Sequence, residues 1–304
     1  MRAGVIRNPQ SHANRREGEV APRGDVLFAQ PETRNEVAAE VKRLAQAGCE
    51  LLVIDGGDGT VREVLTALPA AYGDAPPLLS VVSSGKTNVL AFDLGVRGSW
   101  TLERVLAQAG QPDARIRLRS PLEVTRPGST EPPLRGFVFG CAALVRQDEL
   151  ASTLHRAHVF HNLSVGLTLA GVAAQVMMGG DGNSWRRGEP LTLRVDDAEP
   201  RSGPRLVTMA TTLQRLPFRM RPFGPPRHGL KFLDADAPPR RLARALPTIL
   251  WGRGEGWLKA NGYRRGDAHE LRVSLEGSVF LDGEVYPGGD LVVTEAPQLR
   301  FLTP

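Results

Sequence analysis

The sequence predicts two architectures in one chain, a parallel α/β domain followed by an antiparallel β domain. Three observations carry this reading. Leu51-Leu52-Val53-Ile54 is a continuous apolar run, as a strand buried on both faces requires. It passes through Gly56-Gly57-Asp58-Gly59 into the amphipathic Val61-Arg62-Glu63-Val64-Leu65, giving a strand, a tight turn and a helix. From about Asp113 the texture changes to short segments of period two between Gly/Pro-rich turns, the pattern of an antiparallel sandwich. A length of 304 residues accommodates two domains. We divide them as 1–115 and 116–304, and leave open a return of the last residues to the first domain.

Taken in order, Ala3 to Arg7 reads as the first strand, turned by Asn8-Pro9-Gln10-Ser11. Asp25 to Ala29 is a second strand. Thr33 to Ala47 reads as a helix whose Val37, Val41 and Leu44 share a face and which Gly48 ends. After the central strand and its glycine turn, Thr60 or Asp58 is the expected N-cap of a helix that Pro69 closes. Leu78 to Val82 is a fourth strand, followed by Ser83 to Asn88 and a helix ending near Gly95. Trp100 to Ala109 is one more helix. Strands alternating with helices at this spacing indicate a parallel sheet. Beyond it, Arg115–Arg119, Leu134–Val145, Leu191–Val195, Arg205–Thr212 and Leu271–Phe280 read as strands, interrupted by a mostly helical insertion from Asp148 to Met178.

A glycine-rich turn between a buried strand and a helix presents backbone N–H groups at a positive helix end, which suits phosphate. Asp58 would repel a bare phosphate, and becomes useful when a divalent cation stands between the two. The spacing is not G-x-G-x-x-G, which excludes a Rossmann fingerprint. Ser83-Ser84-Gly85-Lys86-Thr87 is not a Walker A loop either, because Ser80 stands where that loop needs glycine. Asp55, at the strand end, reads as either metal-linked or solvated. His155, His158 and His161 follow at intervals of three, so the outer pair do not share a helix face and no metal trio is expected.

Two cysteines, Cys49 and Cys141, are too few for a disulfide framework and point to a reducing compartment. Met1 to Pro9 reads as strand and turn rather than a secretory signal. The longest apolar run, Leu163 to Met178, is short for a membrane span. Net charge is +5, and only four of the 38 basic residues are lysine. Between Arg186 and Arg265 stand 17 basic residues against 7 acidic ones, interleaved with Phe218, Phe223, Trp251, Trp257 and Tyr263. That stretch is either a solvated β-domain surface with core aromatics or a surface for docking on an anionic membrane. It carries no nucleic-acid motif, so no nucleic-acid partner is expected.

Gly56-Gly57-Asp58-Gly59-Thr60 after a buried strand resembles the diacylglycerol kinase catalytic family, soluble lipid kinases related to the sphingosine and ceramide kinases. Further positions agree. Asn8-Pro9-x-Ser11 is similar to the family's N-P-x-S-G, with His12 in place of glycine. Glu63 matches the acidic residue after the turn. Gly85, Asn88, Ala91, Leu94 and Gly95 match its second nucleotide segment, and Asp282-Gly283-Glu284 matches its C-terminal D-G-E. Departures are Arg62 for asparagine, Lys86 for threonine, Val89 for aspartate, and His228-Gly229-Leu230-Lys231 where the family has D-G-x-L. In some bacterial members D-G-x-L carries a structural magnesium site; histidine removes its carboxylate ligand, so that site is not carried over.

The resemblance implies an NAD-kinase-like and phosphofructokinase-like N-terminal fold, a C-terminal β-sandwich, and ATP-dependent transfer of a γ-phosphoryl group to a lipid hydroxyl. Diacylglycerol, ceramide and sphingoid bases are the implied acceptors, and Mg²⁺ accompanies ATP. It implies nucleotide contacts from Asn8, Gly56, Gly57, Asp58, Gly59, Thr60, Glu63, Gly85 and Asn88, with Lys86 as an added cation near the phosphates. Asp58 and Asp282 are the implied metal contacts, and Glu284 the general base, supported by Asp282 and Asp58. Asp282 and Glu284 would share a face on a regular strand, while Gly283 equally allows a turn. The segment Leu163 to Met178 is a candidate wall for acyl chains. The implied location is cytoplasmic, peripheral to the inner face of the membrane, and a homodimer is left open. Two other readings stand beside this one, a catalytically silent lipid- or nucleotide-binding regulator and a soluble-substrate kinase such as an NAD kinase.

Overall fold

A computed structural model describes residues 1–11, 14, 26–85, 88–142 and 184–304. The expected helical insertion with its histidines and apolar run, together with His12 and Lys86, lies outside the described residues. The chain forms two compact units. One comprises Met1–Pro121, Leu134–Gly136 and Pro297–Pro304, and the other Leu122–Pro133 and Phe137–Ala296.

The first unit is built on a mixed sheet of six strands: β1 (Ala3–Arg7), β2 (Val26–Ala29), β3 (Leu51–Gly56), β4 (Leu78–Ser83), β5 (Arg115–Arg119) and β15 (Leu299–Thr303). Their order is β2-β1-β3-β4-β15-β5. The first five of these run parallel, and β5 pairs antiparallel with β15 at the edge. Every residue of β1 and β3 is buried, which explains their unbroken apolar runs. Helix α1 (Arg34–Gln46) starts where Thr33 Oγ1 accepts from Glu36 N, and buries Val37, Val41 and Leu44 as its spacing requires.

Helix α2 (Asp58–Tyr72) corrects two expectations. It begins at Asp58, with Gly57 as an N-cap that has no side chain to offer, so Asp58 and Thr60 lie inside its first turn. It also runs through Pro69 to end at Gly73, whose N–H donates to Pro69 O at 3.0 Å. Proline forfeits one hydrogen bond there, while Val64, Leu65 and Leu68 keep the helix on the core. Helix α3 (Val89–Asp93) follows β4 and ends near Gly95 as expected, and α4 (Leu102–Gln108) is shorter than the expected Trp100–Ala109. Ser80 Oγ accepts from Trp100 Nε1 and donates to Leu302 O, which ties β4 to β15. The short β7 (Leu134–Gly136) meets α2, where Thr66 Oγ1 accepts from Arg135 N at 3.0 Å.

The second unit is largely antiparallel: β6 (Leu122–Thr125), β8 (Val138–Ala142), β9 (Glu189–Val195), β10 (Arg201–Thr211), β11 (Leu230–Asp236), β12 (Tyr263–Ala268), β13 (Glu270–Leu281) and β14 (Glu284–Glu295). The order β12-β11-β10-β8-β13-β14-β6 is joined by β9, which pairs with β10 and β13. The single strand expected over Leu134–Val145 is broken at Phe137 into β7 and β8. Helices α5 (Ser184–Arg187), α6 (Leu242–Leu250) and α7 (Glu255–Ala260) complete the unit. A compact core of Leu206, Phe223, Leu233, Ala235, Ala245, Ile249, Leu258 and Tyr263 lies beneath α6 and α7. Phe223 and Tyr263 are therefore core aromatics, whereas Phe218 and Trp251 are exposed. No helix among the described residues is long and apolar enough to cross a membrane.

Candidate active site

The order β2-β1-β3 places a switch point between β1 and β3, where chain connections leave in opposite directions. In open α/β sheets ligands bind in the crevice at the carboxyl ends of such strands. Asn8 and the glycine turn stand there. Asn8 N donates to Asp55 O at 3.0 Å, and its side-chain Nδ2 donates to Thr60 Oγ1 at 2.9 Å, fastening the end of β1 to the first turn of α2.

Asp55 is neither solvated nor exposed to an open crevice. It is 4% exposed and lies 3.4 Å from the buried Arg7 guanidinium. Its Oδ1 accepts from Ser84 Oγ and from Asn14 Nδ2. These three partners were not singled out from sequence. The one available signal was Arg7, a charge closing an otherwise apolar strand.

Glycine is demanded at three positions by packing. A Cβ on Gly56 would stand 2.7 Å from Thr60, and one on Gly85 would stand 2.5 Å from Gly57 Cα. The turns before α2 and α3 thus meet backbone to backbone, and a Cβ on Gly57 would crowd Gly85 in return. Asn88 braces this contact, accepting from Gly85 N and donating to Gly85 O. Asp58 crosses the same gap. Its two carboxylate oxygens lie 3.0 and 3.2 Å from Val89 N, so it caps α3 from another helix. Asn8, Gly56, Gly57, Asp58, Thr60, Gly85 and Asn88 are in this way one connected constellation. Glu63 stands one turn along α2, between Arg62 at 2.5 Å and Arg34 at 3.3 Å. Arg62 is 2% exposed, so the departure at that position is a buried partner for Glu63.

Gly59 differs from its neighbours. A Cβ there would meet nothing within 4 Å among the described residues, and its φ is not positive. Neither packing nor backbone conformation asks for glycine.

In the second unit, Asp282 and Gly283 are the two central residues of a hairpin, with Leu281 paired to Glu284. Their φ values of 44° and 90° are both positive, as a two-residue type I′ turn requires. Of the two conformations the sequence allowed, the turn is the one formed. Asp282 Oδ2 accepts from Phe137 N at 2.7 Å and Oδ1 from Val138 N at 2.8 Å, while its own N–H donates to Val138 O. Glu284 begins β14. His228 contacts Gln214, and the buried Lys231 Nζ donates to the carbonyls of Arg227 and Gly229. No group of three His, Cys, Asp or Glu side chains among the described residues is arranged to hold a metal by itself.

Residues 2–115 match the family model of the diacylglycerol kinase catalytic domain, so this segment is of the kind read from the glycine turn. No curated protein sequence matches the chain. Among solved structures, the chain is similar to a protein from Bacillus anthracis str. Sterne proposed to be a diacylglycerol kinase. The TM-score is 0.70 and the identity 12%, with 100% of this chain and 97% of that one covered. A diacylglycerol kinase structure from the same organism aligns with TM-score 0.67 and 13% identity, over 100% and 97% of the two chains. At such identities these structures bear on the fold, a parallel α/β unit followed by a largely antiparallel one.

Proposed function

We propose that the chain is an ATP-dependent lipid kinase that transfers the γ-phosphoryl group to a hydroxyl of a neutral lipid. Diacylglycerol is the first candidate acceptor, and ceramide and sphingoid bases the next. Under this reading the first unit is NAD-kinase-like and phosphofructokinase-like, and the second is the lipid-binding β-sandwich. The protein works in the cytoplasm at the inner membrane face.

The observation that carries the reading is Gly59. Glycine is a poorer helix former than alanine, and nothing in the packing demands it at this position. A phosphate approaching the helix N-terminus does demand it. Gly59→Ala should therefore hold or raise the melting temperature while weakening ATP. A loss of about tenfold in apparent ATP affinity corresponds to one damaged charge-assisted hydrogen bond. Unchanged ATP affinity in Gly59→Ala would remove phosphate from this turn.

The chemistry needs charge neutralisation, alignment and a base. Asn8, Gly56, Gly57, Thr60, Gly85 and Asn88 form the cradle, Lys86 adds a cation, and Glu63 fixes the flank of α2. Mg²⁺ is commonly held by one or two carboxylates together with substrate phosphates. That donor set fits a site with the Asp58 carboxylate at the helix start. Mg²⁺ would neutralise the phosphates, with Asp58 as its holder. Glu284 takes the acceptor proton.

The test is transfer of radiolabel from γ-labelled ATP to a panel of diacylglycerol, ceramide, sphingosine and NAD. Label in a lipid is expected. Label in NAD alone, or in none of them, overturns the proposal in favour of a soluble-substrate kinase or a silent regulator.

A further inference from the structure

Most arginines of the second unit are spent internally. Arg201, Arg205 and Arg264 surround Asp234 and Asp236. Arg227 pairs with Asp267 and donates to the carbonyls of Phe223 and Pro225. Arg244 lies 4.6 Å over the Trp257 ring. Arg219, Arg221 and Arg253 differ. All three are exposed, and their side chains have no acidic partner among the described residues. They fringe Phe218 and Trp251, which at 59% and 67% exposure are the two most exposed large apolar side chains among the described residues.

The two aromatics sit on different segments that are bolted together. Arg221 N donates to the carbonyl of Leu250, the residue before Trp251, at 2.7 Å. Arg265, almost wholly buried, donates to the carbonyls of Pro222, Ile249 and Arg253 and to Glu255 Oε2. One guanidinium thus joins the Phe218 segment, the end of α6 and the start of α7. Phe223, Ile249 and Leu258 bury this platform's underside in the core.

Phe218 and Arg219 are both left-handed, with φ of 57° and 56°. That conformation is unfavourable for residues with a Cβ. At 59% exposure the Phe218 ring gains only partial burial within the chain to offset it. The conformation holds an apolar ring outward beside cations.

We infer that this paired tip is a membrane anchor. Phe218 and Trp251 enter the interface of an anionic bilayer, while Arg219, Arg221 and Arg253 meet its lipid phosphates. Aromatic rings concentrate at the headgroup level, and arginine matches phosphate geometry. The nearby acids Glu255 and Asp267 are already paired with Arg265 and Arg227, which leaves the fringe positive. The inference deepens the proposed function by naming the surface that meets the lipid. Binding is measured without ATP, so the two readings can fail separately.

The full chain is floated with vesicles of phosphatidylcholine and phosphatidylserine in a two-to-one ratio, and with phosphatidylcholine alone. The Phe218→Ser/Trp251→Ser double variant should lose about tenfold or more in partition, since each ring removes a large apolar surface from the interface. Reversing Arg219, Arg221 and Arg253 to glutamate should cost at least about fivefold per arginine on the anionic vesicles. It should change little on the neutral ones. Lipids brominated in their acyl chains should quench tryptophan fluorescence of the parent chain, and quench it less in Trp251→Phe. The inference is overturned by absent vesicle binding, by undiminished binding of the double aromatic variant, or by undiminished quenching in Trp251→Phe. Concentration-dependent dimerisation abolished by the same aromatic variant would also overturn it, since a second copy would then own the patch. Vesicle binding that follows these variants in a chain transferring no phosphate leaves the anchor standing and removes the kinase. Transfer that persists with unchanged vesicle binding does the reverse.

Discussion

Asp58→Asn should keep the parent's stability and lose ATP-dependent turnover, whereas Asp58→Ala should lose turnover and part of the stability as well. The separation follows from the two tasks of this carboxylate. One is structural: Asp58 caps α3 at Val89 N across the gap between the two nucleotide segments. Asparagine can still accept that hydrogen bond through its amide oxygen, and alanine cannot. Loss of a helix cap costs about 0.5–2 kcal/mol. The other task is electrostatic. Removing one preorganised oxyanion-hole donor costs about 10²- to 10³-fold in kcat, and we expect an effect of that order for a lost metal contact. Thermal unfolding and turnover at limiting Mg²⁺ are measured on both variants. We expect Asp58→Asn to melt near the parent and turn over at least 100-fold more slowly. Partial recovery at raised Mg²⁺ is the signature of a weakened metal contact. Near-parental turnover of Asp58→Asn at limiting Mg²⁺ would reduce Asp58 to a helix cap.

The cap also marks the limit of reading this site from sequence. A strand, a glycine turn and a helix were legible because each has a local pattern: the buried run Leu51–Ile54, three glycines in four residues, and apolar spacing from Val61. That Gly57 packs on Gly85, and that Asp58 caps a helix 31 residues away, are non-local facts with no periodicity to announce them. The same holds for β15, inserted between β4 and β5 although Ser80 and Leu302 are 222 residues apart. Pro69 misled because a proline in the last turn sacrifices one bond, and a buried apolar face outweighs it. In the second unit, β12 reads Tyr-Arg-Arg-Gly-Asp-Ala and has no apolar alternation to detect, because its arginines bind carboxylates and carbonyls rather than solvent. The basic stretch was legible as charge but not as surface. Only the contacts separate Arg227, which holds a loop, from Arg219, Arg221 and Arg253, which face outward.

The hairpin at Asp282-Gly283 sets the second large effect, and here the two acids should separate by stability rather than by metal alone. Asp282 accepts two backbone N–H groups, from Phe137 and Val138, and adopts a left-handed conformation that aspartate and asparagine tolerate better than alanine. Hydrogen bonds to a charged group contribute about 1.5–3 kcal/mol each. Asp282→Ala should therefore destabilise the second unit by at least about 2 kcal/mol, read as a lowered denaturation midpoint. Asp282→Asn should retain one acceptor and the turn, with an intermediate loss. Any Mg²⁺ dependence of Asp282 has to be read in that asparagine variant, where the turn survives. Glu284 opens β14 on the far side of the turn, and Glu284→Gln leaves the positive-φ pair untouched. Its expected effect is kinetic, a fall in kcat of about 10²- to 10⁴-fold for a lost general base, with ATP affinity and melting temperature near the parent. More Mg²⁺ should not rescue it, because a missing base is not a missing ligand. If Glu284→Gln turns over normally across the pH range while Asp282→Ala still unfolds early, the hairpin is a structural clasp. The acceptor proton then has to leave through another acid, with Asp58 the next to examine, since Asp55 is already buried against Arg7.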